Sequence, residues 1–237
     1  VVVPGANAKV TPSFVAVHGP RVDAATVVVT QNEIPPEGTK AVLARAAAAA
    51  AASPRGLPLT VSNPAPVPAE AWAELLECVD VLVLNETEAA ALGGSASDSS
   101  GGDSARAAKA AAAGLRPAHA SRPRVLVVTL GARGAVVAVV PAGGGDATTR
   151  LVEAPASDGA VVDTVGAGDA FVGTLSAVLA SAADPASIVA SADSMSECVR
   201  KACCVAGMTV RAKGTQTSYP GRDEVAALHP AVLEPVV

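Results

Sequence analysis

The sequence predicts an α/β fold: a mostly parallel central sheet with helices on both faces, a three-layer αβα sandwich spread over residues 1–237 as a single domain. Three observations predict it. Short apolar, β-branched runs alternate along the chain with alanine-rich, helix-compatible stretches, the pattern of buried strands joined by crossover helices. Half of the residues are hydrophobic (50%) but only 2% are aromatic, so Ala and Val must build the core, which suits close packing of helix on sheet. The length, 237 residues, is that of one such domain or a large part of one.

The elements follow in order. Val27–Thr30 reads as a buried strand, and Lys40–Ala52 as a helix stopped by Ser53-Pro54-Arg55-Gly56. Leu59–Ser62 is the second strand, ended by Asn63-Pro64-Ala65-Pro66, and Pro68–Leu76 is a short helix that starts at its proline. Val79–Leu84 is the third strand, and Glu86–Leu92 and Asp103–Ala113 are helices. Val125–Thr129 is a strand with Ala135–Val140 as its hairpin partner across Gly131-Ala132-Arg133-Gly134, and Leu151–Glu153 is a short edge strand. Ala170–Ala183 and Ser187–Met208 are helical. Gly93–Gly102 and Pro141–Thr149, rich in Gly and Ser or in Gly alone, are expected as flexible surface loops. The chain opens on Val1-Val2-Val3-Pro4-Gly5 without a Met, which reads as the interior of a fold: either an upstream segment has been lost or the sequence is a fragment.

Bulk properties exclude some partners. A net charge of −5 with no basic stripe argues against nucleic acid. No apolar run approaches the ~18 residues that a membrane helix needs; the longest alanine run is Ala46–Ala52. Cys78, Cys198, Cys203 and Cys204 show no C-x-x-C spacing, and the adjacent pair does not readily bridge. They read as reduced, buried small hydrophobes, which with the absence of a recognisable signal peptide points to the cytoplasm.

The chemistry concentrates in Val161–Gly173, where an apolar extended stretch meets a glycine-spaced turn and then a long apolar helix. A glycine-rich turn that opens a helix points bare N–H groups at one spot, and the helix dipole favours negative charge there. The backbone of Gly166, Ala167, Gly168 and Asp169 thus forms an anion hole. Asp169 would repel an anion in that hole, a conflict that resolves if it takes a proton from a nucleophile while the amides hold charge on a phosphoryl group. The P-loop pattern and protein-kinase motifs are absent. Ligands of such sheets bind beyond the carboxyl ends of the strands, where the remaining motifs also fall: Val3–Ala8, Gln31–Pro35, Ser62–Pro66, Asn85–Glu88 and Thr129–Gly134.

The string D-T-x-G-A-G-D-x-F, from Asp163 to Phe171, resembles the signature of the ribokinase-like family of carbohydrate and nucleoside kinases. The resemblance runs from Val1 to about Pro220 and implies ATP and a small sugar as ligands, with Asp169 as catalytic base and substrate contact. Asn85-Glu86-Thr87-Glu88 is similar to the family's N-x-x-E motif, which gives Asn85 an ATP contact and Glu88 a water-mediated hold on the Mg²⁺ that arrives with the nucleotide. By the same resemblance Thr129, Gly131 and Gly134 belong to a nucleotide-binding turn, Cys203 falls near adenine, and Glu33 contacts the sugar. A monovalent cation, K⁺, is implied at Asp163, Val165, Thr209, Ala212, Gly214 and Ser218. Val3–Ala8, Asn63–Pro66 and Lys213–Gly214 together resemble the ribose-specific members, implying transfer of the γ-phosphoryl of ATP to the 5-hydroxyl of ribose. The same family also holds fructose and adenosine kinases. A nucleotide-binding fragment without catalysis is the reading from a different class. The family's N-terminal portion, roughly 100 residues by comparison with a typical domain, carries its first strands, a Gly-Gly pair, a sugar-binding Asp and most of a lid that makes the dimer. None of these is found in this sequence, so the chain alone is expected to phosphorylate sugar poorly, with a homodimer possible only in a full-length protein.

Overall fold

The computed structural model describes residues 4–66, 78–93, 122–155 and 159–236. Its strands are β1 (Val27–Thr30), β2 (Leu59–Ser62), β3 (Val81–Asn85), β4 (Arg124–Thr129), β5 (Ala135–Val140) and β6 (Thr148–Val152). They form one six-stranded sheet in sequence order. β1 to β4 are parallel, and β5 and β6 are antiparallel additions. The helices are α1 (Pro12–Asp23), α2 (Pro36–Ala52), α3 (Glu86–Gly93), α4 (Ala167–Ser181), α5 (Pro185–Ala190), α6 (Ala192–Thr209) and α7 (Arg222–Leu228).

The three layers follow from strand alternation. Residues two apart on a strand share a face. Leu59, Val61, Val81, Val83, Val125 and Val127 share one core with Leu175 and Leu179 of α4 and Met195, Val199 and Ala202 of α6. The intervening Leu82, Leu84, Leu126 and Val128 share a second core with Leu43 of α2. The central strands are therefore buried on both faces and read as continuous apolar runs. Small residues let the layers approach: a Cβ on Gly38 would stand 1.9 Å from the carbonyl oxygen of Val10, and one on Gly134 would stand 2.0 Å from that of Val152.

Several expectations are corrected. Helix α1 was not anticipated. Thr11 caps its first turn by accepting from the Phe14 N–H, Pro12 suits the first position, and Gly19 lies against Arg45 of α2. α2 starts at Pro36, earlier than Lys40. The stretch expected as one helix over Ser187–Met208 is two, α5 and α6, broken at Ser191 (φ −110°, ψ 119°), whose hydroxyl caps α6 through the Ser194 N–H. β6 begins at Thr148, so the glycine loop after Pro141 is shorter than expected and the edge strand longer. Gly5–Lys9 is a short 3₁₀ helix, a tighter turn than a strand end. The helices expected at Pro68–Leu76 and Asp103–Ala113, and the Gly93–Gly102 loop apart from its first residue, lie outside the described residues.

Candidate active site

The alternation that builds the core also builds the site. On the face that carries Val27, Leu59 and Val61, Val81 and Val83, and Val125 and Val127, the last positions of β3 and β4 are Asn85 and Thr129, and the first positions beyond β1 and β2 are Gln31 and Asn63. These four polar residues line the carboxyl ends of the parallel strands, on the side covered by α4 and α6. Two of them are held there by backbone carbonyls. Asn63 donates through Nδ2 to the Val83 carbonyl at 3.0 Å, and Thr129 through Oγ1 to the Leu84 carbonyl at 3.3 Å. Asn32 joins the first two loops by donating to the carbonyls of Ala65 and Pro66. Glu33 is exposed on that first loop.

α4 starts beside this rim. Gly166 takes φ +85°, a left-handed conformation that suits glycine. Ala167 N–H turns back onto the Thr164 carbonyl at 3.3 Å, and Ala170 N–H closes the first helical turn on Gly166 at 2.9 Å. Between them, the N–H groups of Gly168 and Asp169 have no partner among the described residues. The Asp169 carboxylate is exposed and accepts one hydrogen bond, from Gln31 Nε2 to Oδ1 at 3.0 Å, across 138 positions of sequence.

The turn before α4 is fixed by Asp163. Its Oδ1 accepts from Val165 N–H and its Oδ2 from Gly214 N–H, each at 3.0 Å. Those two amides hold its carboxyl below the usual aspartate range. The Ser218 hydroxyl lies 2.7 Å from the carbonyls of both Gly214 and Thr215. Asp163, Gly214 and Ser218 therefore converge. Thr209 and Ala212 pair with each other through Ala212 N–H at 3.5 Å, and Asp163 reaches their segment through its own N–H, which donates to the Val210 carbonyl at 3.2 Å. Tyr219 was missed from sequence. Its ring covers Gly166, where a Cβ would meet Cε1 at 3.1 Å and the hydroxyl at 3.2 Å. Burial, and after it the Asp169 charge, push the Tyr219 phenol up. Gln31 was missed too. The run Gln31-Asn32-Glu33 drew attention for its carboxylate, and nothing local marks the amide as the one that meets Asp169.

Two more of the rim motifs meet through α3. Asn85 and Glu88 form a reciprocal capping box, Asn85 N–H to Glu88 Oε2 at 2.9 Å and Glu88 N–H to Asn85 Oδ1 at 2.8 Å. Arg133 pairs with Glu86, tying the Gly131–Gly134 turn to that helix. Both turn glycines take positive φ, +58° and +96°. Cys203 lies in the core with Val199 and Ala202, and burial, chiefly, pushes its thiol up to about 12, so it offers apolar surface and no charge.

Residues 1–222 match the family described as pfkB family carbohydrate kinase. The chain is 30% identical to the ribokinase of Mus musculus over 225 residues, which is 95% of this chain and 61% of that protein. Over 101 residues, 42% of the chain and 28% of the relative, it is 41% identical to the adenosine kinase of Schizophyllum commune. Among solved structures it superposes on the ribokinase of Giardia lamblia with a TM-score of 0.78 and 31% identity, covering 96% of this chain and 67% of that one. The Arabidopsis thaliana ribokinase complexed with ribose and ATP gives a TM-score of 0.73 at 26% identity, covering 96% and 64%. The chain thus spans about three fifths of mouse ribokinase. With the parallel sheet, the polar row at its carboxyl rim and the Gly166–Asp169 turn all in place, the match over residues 1–222 makes the chain a member of the pfkB family of carbohydrate kinases.

Proposed function

We propose that this chain is the nucleotide and base-bearing part of an ATP-dependent sugar kinase that makes ribose 5-phosphate from ribose. One observation carries the proposal: a carboxylate at the start of α4 stands beside two amides of its own turn that have no partner among the described residues. In the proposed reaction Asp169 accepts the proton of the sugar 5-hydroxyl. The freed oxygen lone pair forms the new O–P bond as the bond from γ-phosphorus to the β–γ bridging oxygen breaks. That electron pair leaves on ADP. The amides of Gly168 and Asp169 hold negative charge on the transferring group, and positioning with electrostatics provides most of the acceleration.

The chain's residues fit the expected ions. Glu88 uses one carboxylate oxygen in the capping box, and the other has no partner among the described residues, which suits a hold on water bound to Mg²⁺. Asp163, the Gly214 carbonyl and Ser218 converge as an all-oxygen donor set, which suits K⁺. These ions would supply positive charge near the phosphates. Asn85, Thr129, Gly131 and Gly134 would hold ATP, with Cys203 giving apolar surface to its base, and Glu33 would accept from sugar hydroxyls.

Ribose is supported by the two ribokinase structures at 31% and 26% identity over nearly the whole chain. Adenosine is the second reading, favoured by the 41% identity to an adenosine kinase over 101 residues. The test is ATP-dependent phosphorylation of ribose, fructose and adenosine, with and without K⁺, in a chain extended to the full length of its relatives, with its Asp169→Asn variant alongside. Ribose-selective turnover, raised by K⁺ and lowered about 10²- to 10⁴-fold in the variant, is the expected result. Turnover of adenosine alone would move the substrate. Undiminished turnover in Asp169→Asn would remove the base.

A further inference from the structure

Asp169 sits in the first turn of α4, where a carboxylate is drawn to the free N–H groups of its own helix end. Folded back, it would fill the hole meant for a phosphoryl group. The hydrogen bond from Gln31 holds it elsewhere. Gln31 lies on the face of β1 that carries Val27, whose half-buried side chain packs against the core shared with α4, and its Nε2 meets Oδ1 at 3.0 Å. Its backbone is fixed too, since Thr39 Oγ1 donates to the Gln31 carbonyl at 3.4 Å from inside α2. No other hydrogen bond reaches the Asp169 side chain among the described residues, so Oδ2 stays open.

We propose that Gln31 is a positioning residue: its amide tethers Asp169 to the end of β1, keeping the carboxylate off the Gly168 and Asp169 amides and leaving one oxygen free. This rests on reading that turn as a phosphoryl site with Asp169 as base. An amide suits the task because it donates without a charge that would compete for the phosphates. A lysine at the same place would bind the anion itself.

The tether can be tested on the 237-residue chain without turnover. Gln31→Leu keeps the bulk and removes the donor. In ¹⁵N–¹H spectra its Gly168 and Asp169 amide signals should shift downfield as the carboxylate lands on them, and its affinity for inorganic phosphate at those amides should fall about five- to tenfold. Gln31→His, which can donate from a ring nitrogen, should return both readouts most of the way. In an Asp169→Ala background, Gln31→Leu should change phosphate affinity by less than about twofold, since there is no carboxylate left to release. A general loosening of the loop would weaken phosphate in both backgrounds. Unmoved amide signals in Gln31→Leu, or equal losses in the two backgrounds, overturn the tether. Turnover of Asp169→Asn judges the base separately. If that variant stays active while the phosphate cycle behaves as expected, the base reading falls and the tether stands.

Discussion

Gly166 bears a geometric demand at the start of α4. At φ +85° an L side chain is strained, and its Cβ would also press on the Tyr219 ring at 3.1 Å and on Thr215 Cα at 3.3 Å. Gly166→Ala should therefore cost about 1–2 kcal/mol, read as a lower denaturant midpoint, and should displace Tyr219. Tyr219 offers a direct view of the charge on Asp169. It is the only tyrosine of the sequence, so phenolate absorbance reports it alone. Burial and then the Asp169 carboxylate raise its pKa. Asp169→Asn removes the second cause and keeps the first, so the phenol should titrate at lower pH than in the parent chain. An unchanged titration would separate the two side chains. Asp169 itself was legible in the sequence because its meaning is local, a carboxylate closing a glycine turn before a helix. Gln31 and Tyr219 were not, since each acquires its role through a contact that only the fold creates.

At the scale of elements, Asp163 is the rivet between the turn before α4 and the loop that follows α6. Its two oxygens take one amide from each, Val165 and Gly214. Because the folded state holds its pKa below the unfolded value, the native form binds fewer protons than the unfolded chain as pH falls through the unfolded pKa. The stabilisation is complete above the unfolded value, about 3.9, and is lost as pH drops through the lower folded one. Protection of the Gly214 and Val165 amides, relative to their intrinsic exchange rates, should therefore fall in acid before the core strands open, and Asp163→Asn should weaken this pH dependence. Flat protection across that window would deny the rivet. The same scale shows what sequence could and could not convey. Strands β2 to β5 were legible since burial on both faces makes each a largely apolar run. Helix α1 and the break at Ser191 were not. Gly19 is spent on packing against Arg45, and Ser191 serves as a cap inside what looks like a continuous helical pattern.

For the whole molecule, the parallel strands give the sheet a direction, and polar groups sort by it. The carboxyl rim carries Gln31, Asn63, Asn85 and Thr129. The amino ends of β2, β3 and β4 carry a different device: Asp80 Oδ2 accepts from the Thr60 N–H at 2.8 Å and from its hydroxyl at 2.9 Å, and Oδ1 lies 3.4 Å from Arg122 Nε. Asp80 is nearly fully buried, and burial raises its pKa despite the offset from Arg122, the Thr60 bonds and Arg124. Asp80→Ala would leave the Thr60 N–H buried without a partner and should cost about 2–4 kcal/mol. Asp80→Asn keeps an acceptor and removes the buried charge, so its cost at neutral pH should be about 1 kcal/mol or less. The sign with pH follows from the raised value. Between the unfolded pKa and the higher folded one, the native chain binds more protons than the unfolded chain, so stability falls as pH rises through that window. Asp80→Asn should lose that falling limb, which urea unfolding at a series of pH values would show. Neither substitution should alter phosphate affinity at the Gly168 and Asp169 amides, because the latch and the site lie at opposite ends of the same strands. A loss of phosphate binding in Asp80→Asn, with the fold intact, would mean that the two rims communicate through the sheet.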